Sequence, residues 1–72
     1  MNYLEAKQIA LQRNNKVNAC HEYKNAYHFF NKDVYSDGDN GIVIIKCSGE
    51  VLPWISYIMK YHVENTLQER DF

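Results

Sequence analysis

Residues 17 to 31 read VNACHEYKNAYHFFN, and the rest of the predicted architecture is arranged around them. Side chains in both halves of this stretch follow a period of two, which is typical of strands. We predict strands at about residues 17–23 and 26–31, joined by a turn at Lys24–Asn25. A two-residue turn fixes the register, which places four pairs of residues opposite one another: Tyr23 and Ala26, His21 and His28, Cys20 and Phe29, and Ala19 and Phe30.

A helix is predicted before this hairpin, at about residues 3–13. Asn2 can cap its first turn, and Glu5 can reach back to the Asn2 backbone as in a capping box. Asn14–Asn15 ends the helix, because asparagine tolerates the left-handed conformation of a helix C-terminus. We expect the apolar face of the helix to be made of Tyr3, Leu4, Ala10 and Leu11.

One or two further strands are expected after the hairpin. Residues 36–41 (SDGDNG) form a polar loop, because Gly, Asn and Asp supply the backbone conformations that turns require. The unbroken IVII run that follows predicts a strand at about residues 42–47. We expect this strand to be buried on both faces, or to lie under a helix on one face and under a partner on the other. Ser48–Gly49 turns the chain, and residues 50–52 are the candidate for a short fourth strand.

Pro53 suits the first position of a second helix, which we predict at about residues 53–62 or longer. This helix carries two apolar stripes: Ile55, Met59, Val63 and Leu67 in one, and Trp54, Ile58 and Tyr61 in the other. We expect one stripe to close the core and the other to contact another chain. In the alternative, the helix ends near Tyr61 and the tail to residue 72 frays.

Together these elements predict a single α+β domain over residues 1–72. An N-terminal helix packs on a three- to four-stranded antiparallel β-meander, and a C-terminal helix follows. A chain this short has a thin core. Its composition, 46% hydrophobic and 14% aromatic, compensates by supplying large side chains for the buried positions.

The charge balance argues against partners that attract strongly charged proteins. Net charge is -1, so no overall field draws in nucleic acid or anionic lipid. The charge is uneven, because residues 1–32 hold five basic and two acidic side chains, and residues 33–72 hold three basic and seven acidic ones. We interpret this asymmetry as the solvation of two different surfaces.

Neither a secretion signal nor a membrane span is indicated, because the longest aliphatic run is Ile42 to Ile45. The two cysteines, Cys20 and Cys47, are too few for a disulfide scaffold, and we expect their strands to lie too far apart for a bond. We therefore expect a protein of the reducing cytoplasm that does not interact with membranes.

His21 and His28 form the best candidate metal site, since the predicted register sets their imidazoles side by side. A third ligand would have to be Glu22, Cys20, Cys47 or His62, and the first two point to the opposite face of the hairpin. We interpret the histidines as an ordinary cross-strand pair. Cys20 lacks an activating imidazole, because the adjacent His21 points away, so we expect an inert core thiol.

Asp37, Asp39 and Asn40 superficially resemble a calcium-binding loop, but the spacing fails. Counted from Asp37, Gly41 takes the fifth position and Ser48 the twelfth, where the motif needs an oxygen ligand and a bidentate Glu. The sequence also lacks a phosphate-binding glycine loop and a Gly-x-Ser-x-Gly motif. We therefore predict no catalytic, metal-binding or cofactor-binding residue, no cofactor and no enzymatic activity.

The distinctive feature that remains is the aromatic content, six tyrosines and one tryptophan. Aromatic side chains are enriched where proteins contact other proteins. Our predicted interface residues are Tyr35, Trp54, Tyr57 and Tyr61. Aromatics near Lys24 and Lys32 would also suit stacking with single-stranded bases, but only two arginines and no aromatic-basic motif are present, so nucleic acid is not the expected partner.

Two short motifs carry a resemblance to known families. The segments EAKQIA (residues 5–10) and SGEVL (residues 48–52), in the order helix, β-meander and Gly-Glu-Val turn, resemble PepSY domains. The plan is also similar to that of small cytosolic immunity proteins of bacterial toxin systems. The resemblance covers about residues 3–52 and implies inhibition by binding, without identifying a binding residue.

The sequence therefore predicts a non-catalytic protein-binding module, with an inhibitor or immunity-type role in a bacterium or its phage. The partner is another protein, which the sequence does not identify. Two alternatives stay open: a small nucleic-acid-associated protein, and a structural homo-oligomer such as a homodimer.

Overall fold

The computed structural model describes residues 1–33, 41–61 and 66–72. In chain order the elements are helix α1 (Tyr3–Arg13), strands β1 (Ala19–Glu22), β2 (Ala26–Phe30), β3 (Ile42–Ile45) and β4 (Val51–Pro53), helix α2 (Trp54–Lys60) and strand β5 (Gln68–Asp71). The five strands form one sheet in the order β4-β3-β2-β1-β5, with every neighbouring pair antiparallel. The predicted α+β class is confirmed. Within the described ranges, no helix is long and apolar enough to cross a membrane.

The β1–β2 hairpin has the predicted register. His21 lies opposite His28, and Cys20 lies opposite Phe29. The hairpin closes at its turn through a hydrogen bond of 2.8 Å, which the Tyr23 N–H donates to the Ala26 carbonyl. Residues on alternate positions therefore point to opposite faces of the sheet, one of which lies under α1 and the other under α2.

Helix α1 begins as predicted. Asn2 Oδ1 accepts a hydrogen bond from the Glu5 N–H at 2.9 Å, and the Glu5 carboxylate accepts one from the Asn2 N–H, so the capping box is complete. The helix packs on the sheet through Ala6 and Ala10, which are fully buried, beside the partly buried Tyr3.

Two predicted details of α1 are wrong. Leu4 is 65% exposed, because the side of the helix that faces the sheet is the one that carries Ala6 and Ala10. Asn14 ends the helix with an extended backbone at φ -150, so the left-handed stop predicted there does not form. No non-glycine residue in the described ranges has a positive φ. Asn14 stabilises the exit instead, since its Oδ1 accepts a hydrogen bond from the Lys16 N–H at 3.0 Å.

Strand β3 is buried on both faces, as its run of aliphatic residues predicts. Ile44 packs with Ala6, Ala10 and Phe29 beneath α1. On the other face, Val43 and Ile45 pack beneath α2. The chain thus covers both faces of the central strands with its own helices, and the core consists of two thin apolar layers.

In the C-terminal region the helix ends near Tyr61, as the alternative prediction states, but the tail differs from both predictions. Helix α2 has seven residues, begins one residue after Pro53, and ends where Tyr61 adopts an extended conformation at ψ 152. Residues 68–71 are neither helical nor frayed, because they form β5, which adds a fifth strand beside β1. The predicted helical position of Val63 and the predicted loop at 36–40 lie outside the described residues.

Gly41 should tolerate no side chain, because its φ of +120 is unfavourable for other residues and a methyl group would overlap the Phe29 carbonyl oxygen and lie 2.7 Å from His28 Nε2. We expect Gly41→Ala to lower the free energy of unfolding by about 2 kcal/mol or more, measured by urea denaturation followed by circular dichroism.

Gly49→Ala is the matched control, since φ is +73 but the nearest atom to a new methyl group is Met1 Cε at 3.4 Å. This variant should lower the free energy of unfolding by only about 1 kcal/mol, which is the cost of placing alanine at a positive φ. Equal losses for the two variants would show that the contact with Phe29 and His28 is unimportant.

Candidate interaction surface

The inner face of α2 is aromatic. Trp54, Tyr57 and Tyr61 are spaced three and four residues apart, so they share one side of the helix. Their rings stack in series, with centroids 5.8 Å apart for Trp54 and Tyr57 and 5.2 Å apart for Tyr57 and Tyr61. Tyr57 is only 1% exposed and closes the core over Val43 and Ile45.

Two rings on the sheet receive this aromatic face. His28 lies flat against Trp54, with centroids 4.1 Å apart and ring planes at 9°. Tyr23 stacks on the other side of the cluster, 6.1 Å from Trp54 and 6.2 Å from Tyr57. Aromatic contacts of this kind add to the hydrophobic effect of burial. The orientation of α2 on the sheet is therefore set by a connected series of five rings, in which each ring contacts at least one other.

The outer face of α2 is apolar as well. Ile55, Ile58 and Met59 are 43%, 42% and 81% exposed. A surface helix usually directs polar side chains to solvent, and a helix that is apolar on all sides is normally covered on all sides. We call these three residues the α2 outer face. Large exposed apolar side chains that lie together are typical of a binding surface.

The four predicted interface residues occupy different environments. Trp54 and Tyr61 are partly buried on the inner side of α2, and Tyr57 belongs to the core. Tyr35 lies outside the described residues. Contact of these residues with another macromolecule stays a prediction.

The predicted interface residues do not include Ile58 and Met59, which are 42% and 81% exposed in the structure. The available signal was the pair of apolar stripes, which indicated that one side of the helix would be left over. The predicted stripes do not correspond to the inner and outer sides of the helix. One stripe groups Ile58 with Trp54 and Tyr61, whereas Ile58 points outward in the structure. The prediction takes aromatic residues as interface anchors. Rings of the sheet provide another place for them to stack, and the prediction does not account for it.

The histidine pair has the predicted placement on one face of the sheet. The imidazoles of His21 and His28 are 6.4 Å apart in an edge-to-face arrangement. His21 Nε2 lies 3.1 Å from Glu69 Oε1 of β5, and His28 stacks on Trp54. Among residues 1–33, 41–61 and 66–72, no three His, Cys, Asp or Glu side chains come together in a way that would hold a metal ion. His62 and the acidic loop of Asp37 and Asp39 are outside those ranges.

The two cysteines are free and differ in environment. Cys47 is exposed after β3, whereas Cys20 is fully buried beneath α1. Burial raises the pKa of the Cys20 thiol to about 12, so it is protonated at neutral pH. A protonated, inaccessible thiol does not act as a nucleophile.

Glu22 forms the densest charge cluster, on the α1 face of the sheet. Its carboxylate accepts hydrogen bonds from Lys46 Nζ at 2.7 Å and from Arg70 Nη1 at 2.8 Å. Lys46 also lies over the Tyr27 ring, and Arg70 lies over the Tyr3 ring. Both carboxylate oxygens are therefore engaged, and the cluster joins β5 to β1 and to the end of β3.

An open groove lies between the end of α1 and the β3–β4 edge. It is lined by Arg13, Gly41, Ile42, Val51, Leu52 and Pro53. Arg13 is the single charged residue in this lining, so these residues supply no acid-base pair. The groove does not compete with the α2 outer face as a candidate site.

Tyr57→Ala should destabilise the protein strongly, because it removes a buried ring from the layer between α2 and the sheet. We expect a loss of about 3–5 kcal/mol in the free energy of unfolding, measured by urea denaturation. Met59→Ala is the matched control on the same helix, and it should change stability by less than about 0.5 kcal/mol. A similar loss for both variants would mean that the outer face is also part of the core.

Glu22→Gln should lower stability at neutral pH and alter its dependence on pH. Hydrogen bonds from Lys46 and then Arg70 hold the pKa of Glu22 below its ordinary value of 4.5. The resulting stabilisation is present above pH 4.5 and is lost as the pH falls further. We expect the variant to be less stable by about 2 kcal/mol at pH 7, with a difference from the unmodified protein that shrinks in acid.

Glu50→Gln is the control for this measurement, since Glu50 lies 3.8 Å from Lys60 in an exposed pair. Its effect on urea denaturation should be below about 1 kcal/mol at every pH. A Glu22→Gln difference that stays constant from pH 7 to pH 3 would contradict the role assigned to the charged carboxylate.

Comparison of the chain with protein-family models, with curated proteins and with solved structures finds no match, so what can be said of its function comes from the described geometry.

Proposed function

We propose that the chain is a non-catalytic protein-binding module that contacts its partner through the α2 outer face. The observation that carries this proposal is the exposure of Ile55, Ile58 and Met59 on a helix whose opposite side is anchored by stacked rings. An apolar surface in a fixed orientation binds with little ordering of its own side chains and backbone. A partner with an apolar groove would receive such a helix face.

The three residues of the α2 outer face would form the centre of an interface, and their surroundings would form its edge. Stable interfaces bury about 800 Å² on each partner, and a few central residues provide most of the affinity. Met59 is the most exposed of the three and lies between Ile55 and Lys60 on the helix surface. Ser56, Lys60 and the neighbouring Glu50 supply a polar rim. A surrounding rim of this kind is the usual arrangement around an apolar centre.

Nucleic acid binding has weaker support. Lys46 and Arg70 are bonded to Glu22, and Lys32 and Lys60 lie beside Asp71 and Glu50. Half of the eight basic side chains of the protein are thus paired with carboxylates, which leaves few for phosphate groups. A homo-oligomer would use the same α2 outer face, and crosslinks between copies of this chain would reveal it.

The inhibitor or immunity-type role, the bacterial or phage origin and the cytoplasmic location belong to this proposal. The resemblance to PepSY domains extends over about residues 3–52, so the α2 outer face lies beyond it. Inhibition would then arise by occlusion, in which the bound protein covers a functional surface of its partner. No chemical step by this chain is needed.

A photo-crosslinking amino acid at Met59 should capture one partner protein in cells of the native host. The same group at Leu4 is the matched control, because Leu4 is also exposed and apolar but lies on α1. We expect a crosslinked species with the Met59 probe that is absent with the Leu4 probe. Ile58→Lys should reduce this crosslink by about tenfold or more, while Leu4→Lys should leave it unchanged.

Both lysine variants should remain folded, as circular dichroism would verify, because exposed substitutions change stability by about 0.5 kcal/mol or less. Crosslinking from both probes, or no effect of Ile58→Lys, would reject the α2 outer face as the binding surface. Crosslinks between copies of this chain, with a mass that doubles with concentration in light scattering, would favour the homo-oligomer.

A further inference from the structure

Strand β5 differs from the other strands in composition. Its four residues, Gln68 to Asp71, are all polar, and Arg70 is the least exposed of them. Among the strands that the structure describes, it lies at the edge of the sheet and pairs only with β1. The two apolar clusters of the core contain no residue of β5. Apolar burial beside the strand comes from Phe72, which directly follows it, is 38% exposed and lies 6.1 Å from the Phe29 ring.

Charged and polar contacts hold β5 on both faces of the sheet. On one face, Glu69 lies 3.1 Å from His21, and Asp71 lies 3.1 Å from Lys32. On the other face, Arg70 is bonded to Glu22 at 2.8 Å and lies over the Tyr3 ring at 4.3 Å. The contacts made by Glu69 and Asp71 are at the surface, where water and salt weaken such interactions.

Arg70 also covers Cys20 on the side that faces away from β2. The two residues are directly opposite in the β1–β5 ladder, and Cys20 is 0% exposed. Helix α1 packs over β2 and β3, so it covers Cys20 from the side of β2. On the other side of β1 the next strand is β5. Without β5, the Cys20 thiol would lie at the edge of the sheet.

We propose that β5 is a releasable strand, which detaches from β1 as a unit while β1–β4 and both helices stay folded. Local opening is easiest where few apolar contacts are lost, and β5 is the one described element outside both core clusters. Release exposes two features at once: the Cys20 thiol and the backbone hydrogen-bonding edge of β1. A free edge of this kind is able to pair with another strand. The inference is independent of the α2 outer face.

The rate at which Cys20 reacts with N-ethylmaleimide measures the release. The full chain carrying Cys47→Ser leaves Cys20 as the only thiol. Trp54, which packs on the opposite face of the sheet, reports global unfolding through its fluorescence. We expect labelling in the absence of urea to be at least about tenfold faster than the global unfolding equilibrium allows, with a weaker dependence on urea.

Arg70→Met in this background removes the bond to Glu22 and keeps an apolar stem of similar length. It should raise the labelling rate in the absence of urea by about tenfold or more, the effect of losing one charged hydrogen bond, while labelling keeps a weaker dependence on urea than the Trp54 fluorescence transition. Lys60→Met is the matched control, because it removes a cation that pairs with Glu50 away from β5. It should leave the labelling rate unchanged.

Labelling of the Cys47→Ser chain at the rate set by global unfolding, with the same urea dependence, would overturn the proposal. Labelling of Arg70→Met with the full urea dependence of global unfolding would do the same. If Arg70→Met does not fold, Glu69→Gln combined with Asp71→Asn provides the second test, because it removes only surface contacts of β5. This variant must also accelerate labelling for the proposal to stand.

Discussion

Strands β2 and β3 carry apolar side chains on both faces, and this constraint organises the whole structure. Phe29 and Ile44 require a cover on one side of the sheet, and Val43 and Ile45 require one on the other. Helix α1 covers Phe29 and Ile44. It packs through small side chains, since Ala6 and Ala10 allow its backbone to approach the sheet closely. Helix α2 covers Val43 and Ile45 with rings that stack on the sheet. A short chain thereby buries its central strands without a deep core.

The two elements predicted best depend on local rules. The hairpin register follows from a period of two and a two-residue turn. Together they allow a single register, in which Cys20 pairs with Phe29 and His21 pairs with His28. The start of α1 follows from the capping residues, because Asn2 and Glu5 are three positions apart and interact within one turn. Both predictions depend only on residues that lie within about ten positions of one another in the sequence.

The failures depend on contacts between distant residues. Residues 68–71 carry no apolar period. They contact Glu22, His21 and Lys32, which are distant in sequence, and a local pattern does not reveal such contacts. The sequence left the end of α2 open between a stop near Tyr61 and a longer helix, because apolar spacing persists to Leu67, and the helix ends at Lys60. Trp54 and Tyr57, two of the predicted interface residues, face the sheet, since Tyr23 and His28 of the sheet stack with their rings, and no pattern within α2 indicates this.

The contact between Glu22 and Arg70 joins residues 48 positions apart in the chain. At the pace of a ribosome, about 5–20 residues per second, several seconds pass between the synthesis of β1 and that of β5. Until β5 is made, none of the described strands covers the outer side of β1. Closing so long a loop also costs more chain entropy than closing the two-residue turn of the hairpin. Before that contact forms, the edge of β1 is open to a strand from outside the chain.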